Sequence, residues 1–213
     1  RTQTLFAANL EVQLNKAELQ AMRMQVQPHF LFNANNTVAM LIRTGEYEKA
    51  IEMITWISDL LRTALTREYE QLIPLEEEFA LTRNYLAIEQ IRFRDRLTCK
   101  VTDTLETNAA MLPSLILQPL VENAFKHGIA FCMGEASINI ESRKEDEQLI
   151  ISIYNSGPSL PEDFLRIPDS GIGLKNVRSR LKRLFPNNGE MRIMNAAGGV
   201  LVEVELPLNI VGI

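Results

Sequence analysis

The 213-residue chain holds two histidines, His29 and His127, and both stand among groups capable of chemistry. His29 lies in VQPHFLFNANN, directly after Pro28, with Asn33, Asn35 and Asn36 behind it. An imidazole with a pKa near ~6.5 is largely neutral at pH 7, so a ring nitrogen is already a nucleophile. In a helical stretch taken alone the commoner reading is a satisfied core histidine. His127 closes a second group, Glu122, Asn123, Lys126 and His127, set in the otherwise apolar MLPSLILQPLVENAFKHGI. On a helix these four share one edge. A core helix tolerates such groups only where they are paired or face a ligand.

Three glycine-bearing pieces follow in order. NSGPS (Asn155 to Ser159) ends a strand pattern, SGIGLKN (Ser170 to Asn176) opens a helix pattern, and AAGGV precedes the last strand. Glycines before a helix let backbone N–H groups approach phosphate oxygens at the positive helix end. Each piece alone is a generic turn. Their order after an amide-bearing helix is the stronger signal.

The elements that must position these residues fall into two parts. In the first, residues 1–70, Leu5, Val12, Leu19 and Val26 are spaced by sevens, with Ala8, Asn15 and Met22 three residues after the first three. That is the a/d seam of a dimeric coil, which Pro28 interrupts. Helical spacing resumes through FLFNANNTVAMLIRTG and stops at Gly45. A second helix places Ala50, Ile54, Ile57, Leu61 and Ala64 on one stripe, with Met53 and Leu60 beside it. A helical hairpin has too little core to stand alone, so two copies are expected to form a four-helix bundle. In residues 71–213, an acidic helix start (Glu76, Glu77, Glu78) suits the positive helix end. Five strand patterns then alternate with helices: LTCKV, ASINIESR, QLIISIYNSG, EMRIMNA and VLVEVELPL. The expected fold is α+β: a dimerising hairpin, then an α/β sandwich with helices on one face of a mixed sheet.

Composition limits the rest. A net charge of −5 gives no basic surface for nucleic acid. Cys99 and Cys132 lack CxxC spacing and fit a reducing compartment. No apolar run approaches the ~18 residues of a membrane-spanning helix. The chain opens on Arg1 inside a helical pattern, which reads as a piece cut from a longer protein.

QPHFLFN, LQPLVENAFKHGI, NSGP, GIGLKNVRSRL and the terminal GG…ELP together resemble the transmitter region of LytS-like sensor histidine kinases. The resemblance runs from Leu19 to Leu208. It implies a histidine phosphotransfer hairpin joined to a GHKL-type ATP-binding domain, with ATP and Mg²⁺ as cofactors. By this resemblance His29 is the phospho-acceptor and Asn33, one turn later, accepts from its second ring nitrogen. Asn123 holds Mg²⁺ through its amide oxygen. Glu122 orients the metal shell or acts as a base, or else makes a helix-surface ion pair. Lys126 and His127 lie a turn later, within reach of phosphates, and Lys126 reads equally as a solvated flank. Asn155 and Gly157 meet the adenine, and Gly171, Gly173 and Leu174 offer backbone to the phosphates. LPEDFLRIPDS, ending at Ser170, would be the lid.

Four positions depart from the wider pattern. Asn155 stands where an aspartate usually accepts from the adenine amino group, and Ser159 replaces a second glycine. With charge assistance roughly doubling a hydrogen bond, Asn155→Asp is expected to tighten ATP up to about tenfold. Pro119 stands where related ATPases carry a water-activating glutamate, and Phe30 where many kinases carry an acid after the acceptor. The resemblance further implies a homodimer, and a response-regulator aspartate as phosphate recipient, on a protein with a LytTR-type DNA-binding domain. It also implies a cytoplasmic position in a bacterial plasma-membrane protein, anchored through a sensor region not in this sequence. The rival reading is a catalytically weak dimeric scaffold with a regulatory nucleotide site.

Overall fold

The computed structural model describes residues 28–66, 72–161 and 172–209. The heptad seam, most of the expected lid and Gly171 lie outside the described residues. Helix α1 (Pro28–Arg43) and helix α2 (Tyr47–Thr66) form the expected hairpin. Gly45 closes α1 with φ +80, and the Glu46 N–H reaches back to the Leu41 carbonyl at 2.8 Å. That is the left-handed exit only glycine takes without a steric cost.

Which faces of the hairpin turn inward differs in part from the expected stripe. Phe30, Ala34, Thr37 and Leu41 are buried on α1, and Ala50, Met53 and Leu60 on α2. Ile54, expected on the inner stripe of α2, is 48% exposed, and Ile51 is 65% exposed. The side chains of Leu61 and Ala64 lie outside the described ones. With 3.6 residues per turn, stripes through 50/53/57/60 and 50/54/57/61 overlap, and the sequence cannot rank them. Packing against the next helix favours the first.

That helix is α3 (Leu75–Phe93), which follows a short strand β1 (Leu72–Pro74). Its buried residues, from Leu75 and Phe79 to Tyr85, Leu86 and Ile88, do not keep to one face. It is covered by the hairpin on one side and by the rest of the domain on the other. Strands β2 (Leu97–Thr102), β4 (Ala136–Glu145), β5 (Gln148–Ser156), β6 (Glu190–Ala196) and β7 (Gly199–Pro207) form one sheet in the order β2-β4-β5-β7-β6. β2 runs parallel to β4 and every other pair is antiparallel, the mixed sheet expected. Its inner face carries Ile138, Ile140, Leu149, Ile151, Ile153, Val202 and Val204 against the helices. Its outer face carries a charge lattice, with Arg143 3.2 Å from Glu203 and Arg192 2.9 Å from Glu205.

The apolar stretch from Met111 is not one helix. A one-turn helix α4 (Leu105–Asn108) leads into strand β3 (Met111–Pro113), which pairs with β1. Helix α5 (Leu117–His127) starts only after Leu115, at φ 54, and Ile116, in the right-handed region. Such an alternation turns successive N–H groups toward one point, a nest for an anion. The anion is Glu78. Its two oxygens accept from the N–H groups of Leu115 and Leu117, each at 2.8 Å. Of the three acids expected at the start of α3, Glu78 therefore caps a different helix. The last helix, α6 (Ile172–Leu184), packs on α5 and brings the charge of Arg180 toward the same carboxylate.

Burial pushes the Glu78 carboxyl up to about 7, against the pull of the two N–H donors and Arg180. Burial likewise lifts Glu89 to about 7, despite Arg92 at 2.7 Å. Because both values lie above the ordinary 4.5, the native state holds protons that the unfolded chain has lost between pH 4.5 and about 7. Stability from these groups is full below 4.5 and is lost as pH rises through about 7. His127, pushed down by partial burial and by Lys126, acts in the opposite sense but is largely exposed. Urea midpoints are therefore expected to fall from pH 5 to pH 8, and a flat or rising profile would refute these two assignments. At pH 7, Glu78→Ala leaves two buried N–H groups without an acceptor and should cost about 2–4 kcal/mol in chemical unfolding.

Candidate functional site

Helix α5, held at its start by Glu78, presents two different faces. Pro119 and Asn123 face the first turn of α6. A β-carbon placed on Gly173 would lie 3.5 Å from the Pro119 ring and 3.8 Å from Asn123 Nδ2. The N-terminal turn of α6 therefore lies beside a half-exposed amide, with room for no more than a methyl group at Gly173. Leu174 is buried and anchors that turn. Lys126 and His127 stand exposed in the last turn of α5. Glu122 does not share the Asn123 face. It is buried, and Gln118 Nε2 donates to its Oε1 at 3.0 Å. Its charge is felt by Tyr85 of α3.

The end of α5 meets the end of β5. Period-2 alternation puts Asn155 in line with Leu149, Ile151 and Ile153, on the helix-covered face of the sheet. It is 4% exposed, and its Nδ2 donates to the Ser156 carbonyl at 3.0 Å. A carbonyl only accepts, so this contact fixes which end of the amide is the NH₂ and leaves Oδ1 as the acceptor end. A β-carbon on Gly128 would collide with Asn155 Nδ2, and one on Gly157 would lie 2.7 Å from the Gly128 α-carbon. One on Gly199 would collide with the Asn155 carbonyl. Gly157 also has φ +150, outside the range other residues readily adopt. The NSG and GG pieces, separate in sequence, thus close on the glycine that ends α5. The chain beyond is tied down at Leu160, whose N–H and carbonyl both bond the Asn195 amide, at 2.7 and 3.0 Å.

His29 is the second residue of α1, just before the buried Phe30. Asn33 is half-buried one turn on, and its carbonyl accepts from Thr37 at 2.9 Å. The fold therefore joins Asn123 to Gly173 and Asn155 to Gly157. It sets Glu122 on the side of α5 that faces α3, away from Asn123. Two contributors escaped the sequence reading. Gly128 falls inside the apolar MLPSLILQPLVENAFKHGI stretch, where a glycine directly after the polar cluster is the one signal for a tight approach. Tyr85 carried no signal at all.

Among the described residues there is no group of three or more His, Cys, Asp or Glu side chains able to hold a metal by themselves. Mg²⁺ keeps several waters and usually takes one or two protein oxygens plus substrate phosphates. A single amide oxygen from Asn123 beside a helix start fits that mode, and does not fit a metal held by protein alone.

Comparisons with known proteins bear on the family and the fold. The family model described as histidine kinase matches residues 17–97. The one described as histidine kinase-, DNA gyrase B- and HSP90-like ATPase matches residues 109–210. The chain is 36% identical to the sensor histidine kinase YpdA of Escherichia coli over 84% of its own length and 32% of that protein's. It is 29% identical to the sensor protein LytS of Oceanobacillus iheyensis over 95% of its length and 36% of that protein's. The chain thus spans about a third of the curated relatives it matches. Among solved structures, the kinase domain of a blue-light activated histidine kinase from Erythrobacter litoralis aligns with a TM-score of 0.52 at 18% identity, covering 90% of this chain and 91% of that one. The catalytic domain of histidine kinase ThkA aligns with the same TM-score of 0.52 and 18% identity, over 65% of this chain and 97% of that one. With the two family models following one another along most of its length, the chain belongs to the LytS-like sensor histidine kinases, as their transmitter region.

Proposed function

We propose that the chain is the autokinase part of a two-component sensor: it transfers the γ-phosphoryl group of ATP to His29 and passes it on to an aspartate of a response regulator. The observation that carries this reading is the closeness of Asn123 to Gly173 at a helix N-terminus, within a fold whose acceptor helix packs on the same helical layer. Residues 1–70 serve as the dimerisation and phosphotransfer part and residues 71–213 as the ATP-binding part.

In this reading the neutral imidazole attacks with its unprotonated nitrogen, the bond from γ-phosphorus to the ADP oxygen breaks, and a phosphorus–nitrogen bond forms. The proton on the second ring nitrogen then becomes acidic. Asn33 orients it, and Glu122, on the α3 side of α5, is the carboxylate assigned to stabilise or accept it. Asn155 Oδ1 accepts from the adenine amino group, with Gly157 allowing the close approach. Gly171, Gly173 and Leu174 offer backbone N–H groups to the phosphates, and Lys126 and His127 lie at the rim. Mg²⁺, held by Asn123, would neutralise charge on the phosphate oxygens, where phosphoryl transfer is chiefly catalysed. Pro119 supplies no base for water, so transfer to His29 is favoured over hydrolysis.

The exposed apolar side chains of the hairpin, Phe32, Tyr47, Ile51 and Ile54, support a homodimer that buries them. A response regulator with a LytTR-type domain, no direct contact with nucleic acid, and a cytoplasmic position below a membrane-borne sensor complete the proposal. Among the described residues no helix is long and apolar enough to cross a membrane.

Incubation with γ-labelled ATP and Mg²⁺ tests the reading. An acid-labile, alkali-stable label is expected on the protein, and its absence would favour the dimeric scaffold with a regulatory nucleotide site. His29→Gln should abolish the label while leaving ATP binding and dimerisation nearly intact; a label that persists would move the acceptor to His127 or elsewhere. Asn123→Ala should retain adenine binding and lose its Mg²⁺-dependent part. Equal affinity with and without Mg²⁺ in both proteins would remove Asn123 from the metal shell. The geometry at Asn155 reverses the gain expected from charge alone. An aspartate there would set a carboxylate oxygen 3.0 Å from the Ser156 carbonyl, in a position 4% exposed. Asn155→Asp is therefore expected to weaken ATP in calorimetric titration and to lower the melting temperature. Tighter binding would mean that the strand end rebuilds around the charge.

A further inference from the structure

The first turn of α1 is held against the rest of the chain by an aromatic stack. Phe30, next to His29, lies on the Tyr85 ring with centroids 4.6 Å apart and planes inclined by 20°. Tyr85 meets Phe125 of α5 edge-on at 5.8 Å. Phe125 stands two residues after Asn123, on the opposite side of the helix, beside the buried Glu122. All three rings are at most 5% exposed. Burial and the nearby charge of Glu89, itself paired with Arg92 at 2.7 Å, push the Tyr85 hydroxyl well up. The rings therefore run without a break from the residue after the assigned acceptor to the helix that carries Asn123.

Burial alone does not require this arrangement. An aliphatic pair would exclude water equally well while leaving α1 free to roll or slide. Near-parallel rings prefer one offset and one orientation. Because Phe30 and His29 are adjacent on one helix turn, any roll of α1 that unstacks the rings also swings the imidazole. We propose that Tyr85 is a positioning residue for the phosphoryl transfer, docking the first turn of the acceptor helix through Phe30 and so setting the approach of His29 to the nucleotide. The proposal rests on the reading of His29 as the acceptor.

The test uses the full chain with γ-labelled MgATP, following label on His29 at rising ATP concentration, with ATP affinity from calorimetry and folding from thermal melts. Tyr85→Leu and Phe30→Leu should each lower the maximal labelling rate by about tenfold or more, since small displacements of a reacting group cost rate heavily. The apparent KM for ATP should stay within about twofold, because interactions that act only on the transfer step leave nucleotide binding unchanged. Tyr85→Phe and Phe30→Tyr, which keep the rings, should largely retain the rate. The double variant should lose little more than either leucine variant, as expected for two halves of one contact. If Tyr85→Leu does not fold, Phe30→Leu still decides, since it lies at the hairpin side of the stack. Unchanged rates in the leucine variants, or losses matched by equal losses of ATP affinity, would overturn the positioning role. A faster rate in them would also overturn it, and would make the stack a restraint on the acceptor. Wild-type protein that takes no label on His29 would sink the acceptor assignment itself, and this inference with it.

Discussion

One buried carboxylate ties the architecture together. Glu78 sits on α3, accepts from the first N–H groups of α5 and draws the charge of Arg180 on α6. Three helices of the layer thus meet at a single buried carboxyl. The N-terminus of a helix is the place where an internal anion is best stabilised, through orphan N–H groups and the helix dipole. Leu115 takes a left-handed φ of 54 to aim its N–H there, a conformation that costs a non-glycine residue about 1 kcal/mol or more. That strain is tolerable because the carboxylate offsets the desolvation of two donors at once. The outcome is a fixed start for α5, and hence fixed positions for everything along it.

From that start, α5 divides its work by face. One side, through Pro119 and Asn123, borders the opening turn of α6. The other, through Gln118, Glu122 and Phe125, packs toward α3, where Tyr85 receives Phe30 of the hairpin. A helix end, Gly128, then locks against Asn155 and Gly157. Eleven residues of helix therefore touch the proposed phosphate site, the proposed adenine edge and the contact with the acceptor helix. A displacement of α5 at Glu78 would be felt in all three places.

Much of this was legible in the sequence, wherever a period or a special residue carried the signal. The hairpin turn at Gly45 and the five strands of the main sheet follow from glycine's φ and from alternation, both local properties. What was not legible depended on partners distant in the chain. Met111–Pro113 reads as helix because it is apolar, and becomes a strand only through pairing with Leu72–Pro74. Ile54 reads as core until α3 selects the adjacent stripe. Glu78 looks like a cap for its own helix, since nothing in the sequence says that another helix starts beside it. At the candidate site, the residue types at 123, 155, 157 and 173 and their order were visible beforehand. The separation of Glu122 from Asn123 onto different faces follows from a 100° step per residue and was available in principle. The contribution of Tyr85 was not, because a tyrosine in an apolar helix has no sequence mark that distinguishes packing from positioning.

Asn155 shows how local context can outweigh a pattern. Where the resemblance leads to an expected aspartate, this chain carries a neutral amide, and taken alone the change removes charge assistance from the proposed base contact. The structure supplies a reason for the amide: one of its protons satisfies the Ser156 carbonyl, and the Gly128 backbone packs directly on it. A carboxylate would have to give up that bond and carry its charge into a position already closed by glycines on both sides. Asparagine therefore fits this strand end through its donor, while still presenting an acceptor oxygen. In the proposed nucleotide pose the same residue would serve the fold with one end and the adenine with the other.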